Sequence, residues 1–326
     1  MTQETTTHSC PPLQRLDFQT PDVQAYVDMI CEGYPDKACT VKQMLEWDAT
    51  NPKHVLLERF GHYHGDTMIL GGFVEDAYWV KEPGTIEVIL KARHGLEADL
   101  LDGALAQMLD RARERGAKSI CSGGATNRPD VLSAYHRAGF VTKQENPESQ
   151  LNLQDFSIEP FQSTVDSALA SGIAFVRLDE LVAQRGDQAL RDYYDADNVM
   201  SKDIPLPFEL EPTPYETWEA QFRQEKSSWD LHLCAMDGEE IAGLTMLFRS
   251  EADPGRMHTG LTAVKREYRR RGLAKALKAL NLDRAKSQNG TIVQCDNEEN
   301  NPMLQLNIQL GFREVYRWHL LELAVE

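Results

Sequence analysis

The stretch Val264-Lys265-Arg266-Glu267-Tyr268-Arg269-Arg270-Arg271-Gly272-Leu273-Ala274 decides how this chain is read. Before it, Leu261, Ala263 and Val264 read as the end of a strand. After it, Leu273, Leu277 and Leu280 recur at helical spacing, so the polar segment between is a strand-to-helix turn. A helix starting near Gly272 leaves its first amides without intrahelical partners, and together with the dipole they attract anions. Gly272 and Ala274 are small enough for phosphates to approach the backbone, and Arg269, Arg270, Arg271, Lys275 and Lys278 add positive charge at the same end. Cations there oppose the helix dipole, an arrangement that costs stability unless an anion compensates it. The bland alternative is a solvated basic face or a nucleic-acid patch.

Composition argues against that alternative. With 51 acidic and 34 basic residues the formal net charge is -17, which disfavours general binding to nucleic acid or to an anionic membrane. A basic island in so acidic a chain points to a specific anion site. The 326 residues suffice for two domains, each burying its own core. No apolar run approaches bilayer length and the polar start at residues 1–9 lacks the regions of a signal peptide, so the expectation is a cytoplasmic protein without membrane attachment. Cys10, Cys31, Cys39, Cys121, Cys234 and Cys295 are scattered without C-x-x-C spacing, so neither a disulfide framework nor a metal site is expected. His62-Tyr63-His64 lacks companion ligands and reads as a surface turn.

Taken in order, residues 1–12 are polar and read as a loosely attached start. Helical pattern over 13–47 places Val23, Tyr26, Val27 and Ile30 on one face. Strands follow at 54–60 and 68–74, joined by a turn at His64-Gly65-Asp66, and then at 85–91. A long helix from Gly95 carries Leu101, Leu105, Met108 and Ala112 and stops at Gly116; a strand at 119–122, a helix at 129–138 and Gly139-Phe140 come next. The order recurs from Ile173: helices at 178–199 and 215–226, a hairpin around Asp237-Gly238, the strand to Val264, the opening turn and its helix. A strand at 291–296, a helix at 302–310, Gly311-Phe312 and a strand at 316–323 complete it. The repeated order implies a duplicated domain, with ranges 13–155 and 173–326 and a polar boundary between residues 145 and 172.

Arg269-x-x-Gly272-x-Ala274 resembles the cofactor loop of the GNAT superfamily of acetyl-CoA-dependent N-acetyltransferases. The segment Asn300-Asn301-Pro302-Met303-Leu304, then Asn307 and Leu310-Gly311-Phe312, is similar to that family's second signature. The duplication resembles the tandem arrangement of mycothiol synthase-like acetyltransferases. The resemblance implies an α+β fold of two tandem GNAT-like domains, each a mixed, largely antiparallel sheet flanked by helices. It implies acetyl-CoA as cofactor, with the pyrophosphate on the amides of Arg269, Arg270, Arg271, Gly272, Leu273 and Ala274. The pantetheine would lie along the backbone of Thr262, Ala263 and Val264 and beside Asn300, although Asn300 or Asn301 could equally serve as the cap of the helix that Pro302 begins.

The first half departs from the pattern: Ala92 stands at the Gln/Arg position and Glu97 at the Gly/Ala position, and Glu97, Asp99 and Asp102 put negative charge where phosphate would sit. It is expected to be a degenerate domain serving as scaffold or as one wall of the acceptor site. The implied reaction is direct acetyl transfer, through a ternary complex, to the primary amine of a small molecule, by a monomer or homodimer. It requires a base, an oxyanion site and a proton for the leaving thiolate. His258, near the start of the strand feeding the turn, is the first candidate base, since histidine titrates at about pH 6.5; Asp296 is the second. Where many relatives carry a tyrosine acid this chain has Asn307, and the corresponding residue of the first half is Tyr135. The segment from Pro205 and Phe208 to Pro214 and Tyr215, with Trp218, is a candidate acceptor wall. The competing class is a non-catalytic CoA-binding regulatory or protein-interaction module, which Asn307 favours.

Overall fold

The structure is a computed structural model and describes residues 10–325. The loose start expected for residues 1–12 therefore falls, through residue 9, outside the described residues. The chain forms two compact units: Met1–Asn146 with Pro207–Glu211 and Tyr316–Glu326, and Pro147–Leu206 with Pro212–Val315.

In the first unit, β1 (Gln14–Arg15), α1 (Asp22–Gly33) and α2 (Val41–Thr50) precede a meander of β2 (Leu57–His64), β3 (Thr67–Asp76) and β4 (Thr85–Ala92). Helix α2 starts where Thr40 and Gln43 form a reciprocal capping box. Helix α3 (Ala98–Glu114), β5 (Ser119–Ala125), α4 (Pro129–Arg137) and β6 (Val141–Asn152) follow. Alternation sets the faces: Ile86, Val88, Leu90 and Ala92 of β4 pack with Leu101, Leu105 and Met108 of α3, so Thr85, Glu87, Ile89 and Lys91 face the other way. Helix α3 begins three residues after Gly95 rather than at it, because Gly95 holds a left-handed turn (φ +79) and Glu97 is the N-cap.

The second unit contains α5 (Gln162–Ala170), β7 (Ile173–Arg177), α6 (Leu178–Arg185), α7 (Asp187–Ser201), α8 (Tyr215–Gln224), the hairpin β8 (His232–Asp237) and β9 (Glu240–Arg249), and β10 (Arg256–Val264). Helix α9 (Leu273–Ser287), β11 (Ile292–Asp296), α10 (Pro302–Gln309) and β12 (Arg313–Ala324) complete the chain. The helical stretch expected at 178–199 is two helices, broken at Gly186, whose φ of +60 suits a residue without a Cβ. Ala276, Leu277, Ala279, Leu282 and Ala285 of α9 are buried, and Met257, Val293, Cys295 and Leu151 form with its later turns one apolar cluster.

The sheets have the expected mixed, largely antiparallel form. In the first unit the order is β1-β2-β3-β4-β5, then residues 316–324 of β12, then residues 141–146 of β6. In the second it is residues 148–152 of β6, then β11-β10-β9-β8-β7. Against the expected ranges 13–155 and 173–326, the first unit thus takes in the last strand of the chain. The polar stretch 145–172, where the boundary was expected, holds the passage from one unit to the next, between Asn146 and Pro147, and is built of the end of β6 and of α5. Its strand was hidden because Asn146, Glu148 and Ser149 are buried polar residues, and Pro147 interrupts the pattern.

Candidate active site

Strands β10 and β11 run parallel only from Arg256–Ile292 through Met257–Val293 to His258–Gln294. Beyond that point β10 follows β9, with an irregularity between Thr259 and Thr262, while β11 follows β6. The two strands therefore part, and among the described residues no strand neighbours this edge of the rest of β10. Lys265 donates its amide to Ala242 on the β9 side. Backbone groups alternate along a strand, so those of Val264 and Thr262 face the opening. The Val264 carbonyl accepts from Arg269 Nε at 2.9 Å, leaving the amides of Thr262 and Val264 toward the gap.

At the head of this opening the chain makes the turn read from the sequence. Tyr268 anchors it by donating to Asp237 (2.9 Å) and Glu240 (3.2 Å), and Asp203 binds the side chains of Arg266 and Arg269, which hold its carboxyl down to about 2. Arg269 thus acts as a brace for the turn. Arg270 has φ +63, unusual for a residue with a side chain and costing about 1 kcal/mol or more. Gly272 is the N-cap of α9 at φ 78, and among the described residues no side chain caps the helix. The first amides of α9 are consequently presented outward. Arg269, Arg270, Gly272, Leu273, Ala274 and Lys275 line one side of a groove of about 310 Å³, and Pro302, Met303, Leu306 and Gln309 of α10 line the other. The two sequence signatures meet in one groove.

The residues present fit a phosphate-bearing cofactor. The uncapped helix start supplies amides, Arg270 and Lys275 supply charge, and Gly272 lies where an added Cβ would approach Thr164 Cγ2 to 2.8 Å. Asn307 is fully buried, donates to Cys295 Sγ (3.2 Å) and Asn297 (2.5 Å), and its Oδ1 has no partner among the described residues. Asn301, not Asn300, caps α10, accepting from Met303 N at 2.9 Å; Asn300 hydrogen-bonds Glu298 and does not line the groove.

His258 stands half-buried beside Gln294 on the sheet face opposite α9. Asp296 is exposed two residues past Gln294, beyond the last pairing with β10. Sequence inspection missed a buried polar layer on this face: Gln294 donates to Glu148 (3.0 Å) and accepts from Gln150 (3.2 Å) and Arg256 (3.3 Å). Its trace in the sequence is the alternation Arg256-x-His258, Gln294-x-Asp296 and Glu148-x-Gln150. The proposed acceptor wall is dispersed: Trp218 stacks on Phe222 at 4.4 Å, whereas Phe208 lies in the first unit against Trp79 at 5.3 Å.

The first unit repeats this frame with its gap closed. Strands β4 and β5 pair in parallel only from Thr85–Ser119 to Glu87–Cys121. Past that point Ser122 donates to Val88 O (2.7 Å), Leu90 N donates to Tyr135 Oη (2.7 Å), and Arg128 donates to Ala92 O (2.6 Å). The Ala92 carbonyl is thus bound by an arginine, as the Val264 carbonyl is by Arg269, while the Val88 carbonyl and the Leu90 amide are taken by Ser122 and Tyr135.

Residues 191–312 match a family model described as the acetyltransferase (GNAT) family. No curated protein matches the chain significantly. Among solved structures it is similar to a GCN5-related N-acetyltransferase from Sphaerobacter thermophilus, at TM-score 0.68 and 15% identity over 97% of each chain. It is also similar to a tandem GNAT protein from the clavulanic acid biosynthesis pathway, at TM-score 0.68 and 16% identity over 96% of this chain and 98% of that one. The glucosamine N-acetyltransferase region of a fungal multi-domain GH3 β-N-acetylglucosaminidase matches at TM-score 0.64 and 13% identity, over 96% of this chain and 38% of that one. At such identities the likeness is one of fold, and it extends along nearly the whole chain. Among the described residues no helix is long and apolar enough to cross a membrane.

Proposed function

We propose, from the premise that residues 191–312 form an acetyltransferase domain of the GNAT family within a chain of tandem GNAT fold, that the second unit binds acetyl-CoA and transfers its acetyl group directly to the primary amine of a small molecule. The observation that carries this is the groove in which the uncapped start of α9 faces α10 at the mouth of the gap between β10 and β11. Acetyl-CoA supplies the activated thioester. The amides of Leu273 and Ala274, with Arg270 and Lys275, bind the phosphates, and the edge of β10 at Thr262 and Val264 offers the pantetheine a strand-like partner. A backbone amide on that edge also suits the oxyanion that forms as the amine attacks. The first unit, with Ser122, Tyr135 and Arg128 across its gap and Glu97 at its helix start, does not take the cofactor in this way.

His258 is the base in this proposal. It stands at the last paired position before the strands part, on the polar face built by Gln294, Glu148 and Arg256. It takes the proton that the amine loses as the C–N bond forms and the thiolate departs. Asn307 has no proton to give at neutral pH, so the thiolate is protonated by water or another group. Replacing His258 with alanine is expected to lower turnover about 100-fold or more while acetyl-CoA affinity stays unchanged. Steady-state kinetics and calorimetry on the full chain check this, and wild-type turnover at neutral pH removes His258 from the mechanism. Asn307 favours the second function, a CoA-binding module without chemistry. An assay of thiol release across primary amines, amino sugars included, decides between the two: acetyl-CoA binding with no release on any amine supports the module.

A further inference from the structure

The first unit holds a cavity of about 230 Å³ on the face of its sheet turned away from α3 and α4. Its floor is Glu87, Cys121 and Gly123, and its walls include Trp79, Phe208 and Trp318. Gly123 is required there, because a Cβ would come within 2.2 Å of the Trp318 ring. The segment Pro207–Glu211 closes one side: Lys81 N donates to Glu209 O and Glu211 N to Trp79 O, each at 3.0 Å, and Lys81 Nζ pairs with Glu209 at 2.5 Å. The residues around Phe208 that suggested an acceptor wall thus find their place here.

The charges of this cavity are unevenly committed. Lys143 of the lining pairs with Glu322 at 2.8 Å, and Lys91, outside the lining, lies over the rings of Tyr34 (4.5 Å) and Trp318 (5.2 Å). Glu87 has no hydrogen bond or ion pair through its carboxylate among the described residues. Burial, reinforced by the charge of Glu75 and opposed by that of Lys91, pushes its carboxyl up to about 7. Register also matters: Glu87 is the last β4 residue paired with β5, as His258 is the last β10 residue paired with β11. In the first unit the frame thus keeps a titratable group at this position although its cofactor gap is closed.

We propose that this cavity binds a small organic amine in its ammonium form, with the ammonium against Glu87 and the apolar body against Trp79, Phe208 and Trp318. A carboxylate in surroundings of low polarity gains most from a cation that brings its own hydrogen-bond donors, and the aromatic walls bury the apolar body. The site binds without transferring, because side chains of its own unit fill the strand edge beside it.

Calorimetry on the full chain without acetyl-CoA tests this, using 2-phenylethylamine and its neutral counterpart 2-phenylethanol. The amine is expected to bind about ten-fold or more tightly than the alcohol, as a charged hydrogen-bond partner in a buried site implies. Glu87→Gln should abolish that preference, and Trp79→Ala should weaken the amine about five-fold through lost apolar contact. Because Glu87 belongs to the first unit, loss of the preference in Glu87→Gln separates this cavity from the transfer site and from any failure of the proposed reaction. Folding of Glu87→Gln is checked by melting. A carboxyl raised from 4.5 to about 7 binds its proton more tightly in the folded chain, so wild-type stability falls as pH rises through that window. The variant should therefore melt higher than wild type at pH values above the window and equally below it. Failure of the amine to bind, equal binding of amine and alcohol, or a preference retained in Glu87→Gln would overturn the proposal.

Discussion

Replacing Gly272 with valine is expected to abolish acetyl-CoA binding and acetyl transfer together. Gly272 has φ 78 and ψ 5, a conformation that costs a β-branched residue about 1–2 kcal/mol. The new side chain would also meet Thr164, whose Cγ2 lies 2.8 Å from the Cβ position. Relief requires moving the turn or the first residues of α9, and either displaces the amides on which the phosphates are proposed to sit. Losing two charge-assisted hydrogen bonds of about 1.5 kcal/mol each implies an affinity loss of about 100-fold or more. Gly272→Ala carries the same backbone penalty with less bulk and should fall between wild type and valine. Gly95→Val supplies the contrast: Gly95 has φ +79 but nothing among the described residues within 4 Å of its Cβ position, and its turn leads into a helix headed by Glu97. It should cost stability and leave acetyl-CoA affinity intact. Titration of the full-length variants with acetyl-CoA gives the answer; wild-type affinity in Gly272→Val would mean that the phosphates sit elsewhere.

The turn was legible because its chemistry is local. Small residues, arginines and the switch from strand to helix spacing all lie between Val264 and Leu280, and the structure adds chiefly the orientation of Arg269, which braces Val264 and Asp203. The order of elements in both halves was legible for the same reason. Pairings between distant segments were not. Nothing near Glu148 or Gln150 announces that they line up with Asp296 and Gln294, and a polar strand such as Val141–Asn152 reads as a loop until its partner is known. Tyr135 was visible as a counterpart of Asn307, yet its bond to Leu90, which helps close the first unit's gap, requires bringing together residues 45 positions apart. Asn300 and Asn301 are adjacent and chemically identical, so only the geometry of α10 tells the cap from its neighbour.

Strand exchange carries the second large consequence. Truncating the chain after Val315 is expected to unfold the first unit, although every residue removed belongs by sequence to the second half. Residues Trp318 to Ala324 pair antiparallel with Ala125 to Ser119 along the whole of β5, and Leu321 is buried in the cluster that holds Val88, Leu105 and Tyr135. Glu322 is bound by Ser119 and Lys143, and His319 hydrogen-bonds Thr142. Removing a strand that lies between two others strips the ladder from both neighbours. Leu320, Leu321 and Leu323 would each forfeit up to about 1.5–3 kcal/mol of burial, and their sum alone rivals the ~5–15 kcal/mol that hold an ordinary domain together. Amide exchange on the truncated chain should therefore show β3, β4 and β5 losing protection. If Phe73, Val88 and Ile120 kept native protection, β12 would be an appended strand rather than a constituent of that sheet. A division into two self-sufficient halves predicts the reverse pattern, with damage confined to residues after 173. The location of the lost protection therefore distinguishes the two architectures without requiring either unit to be isolated.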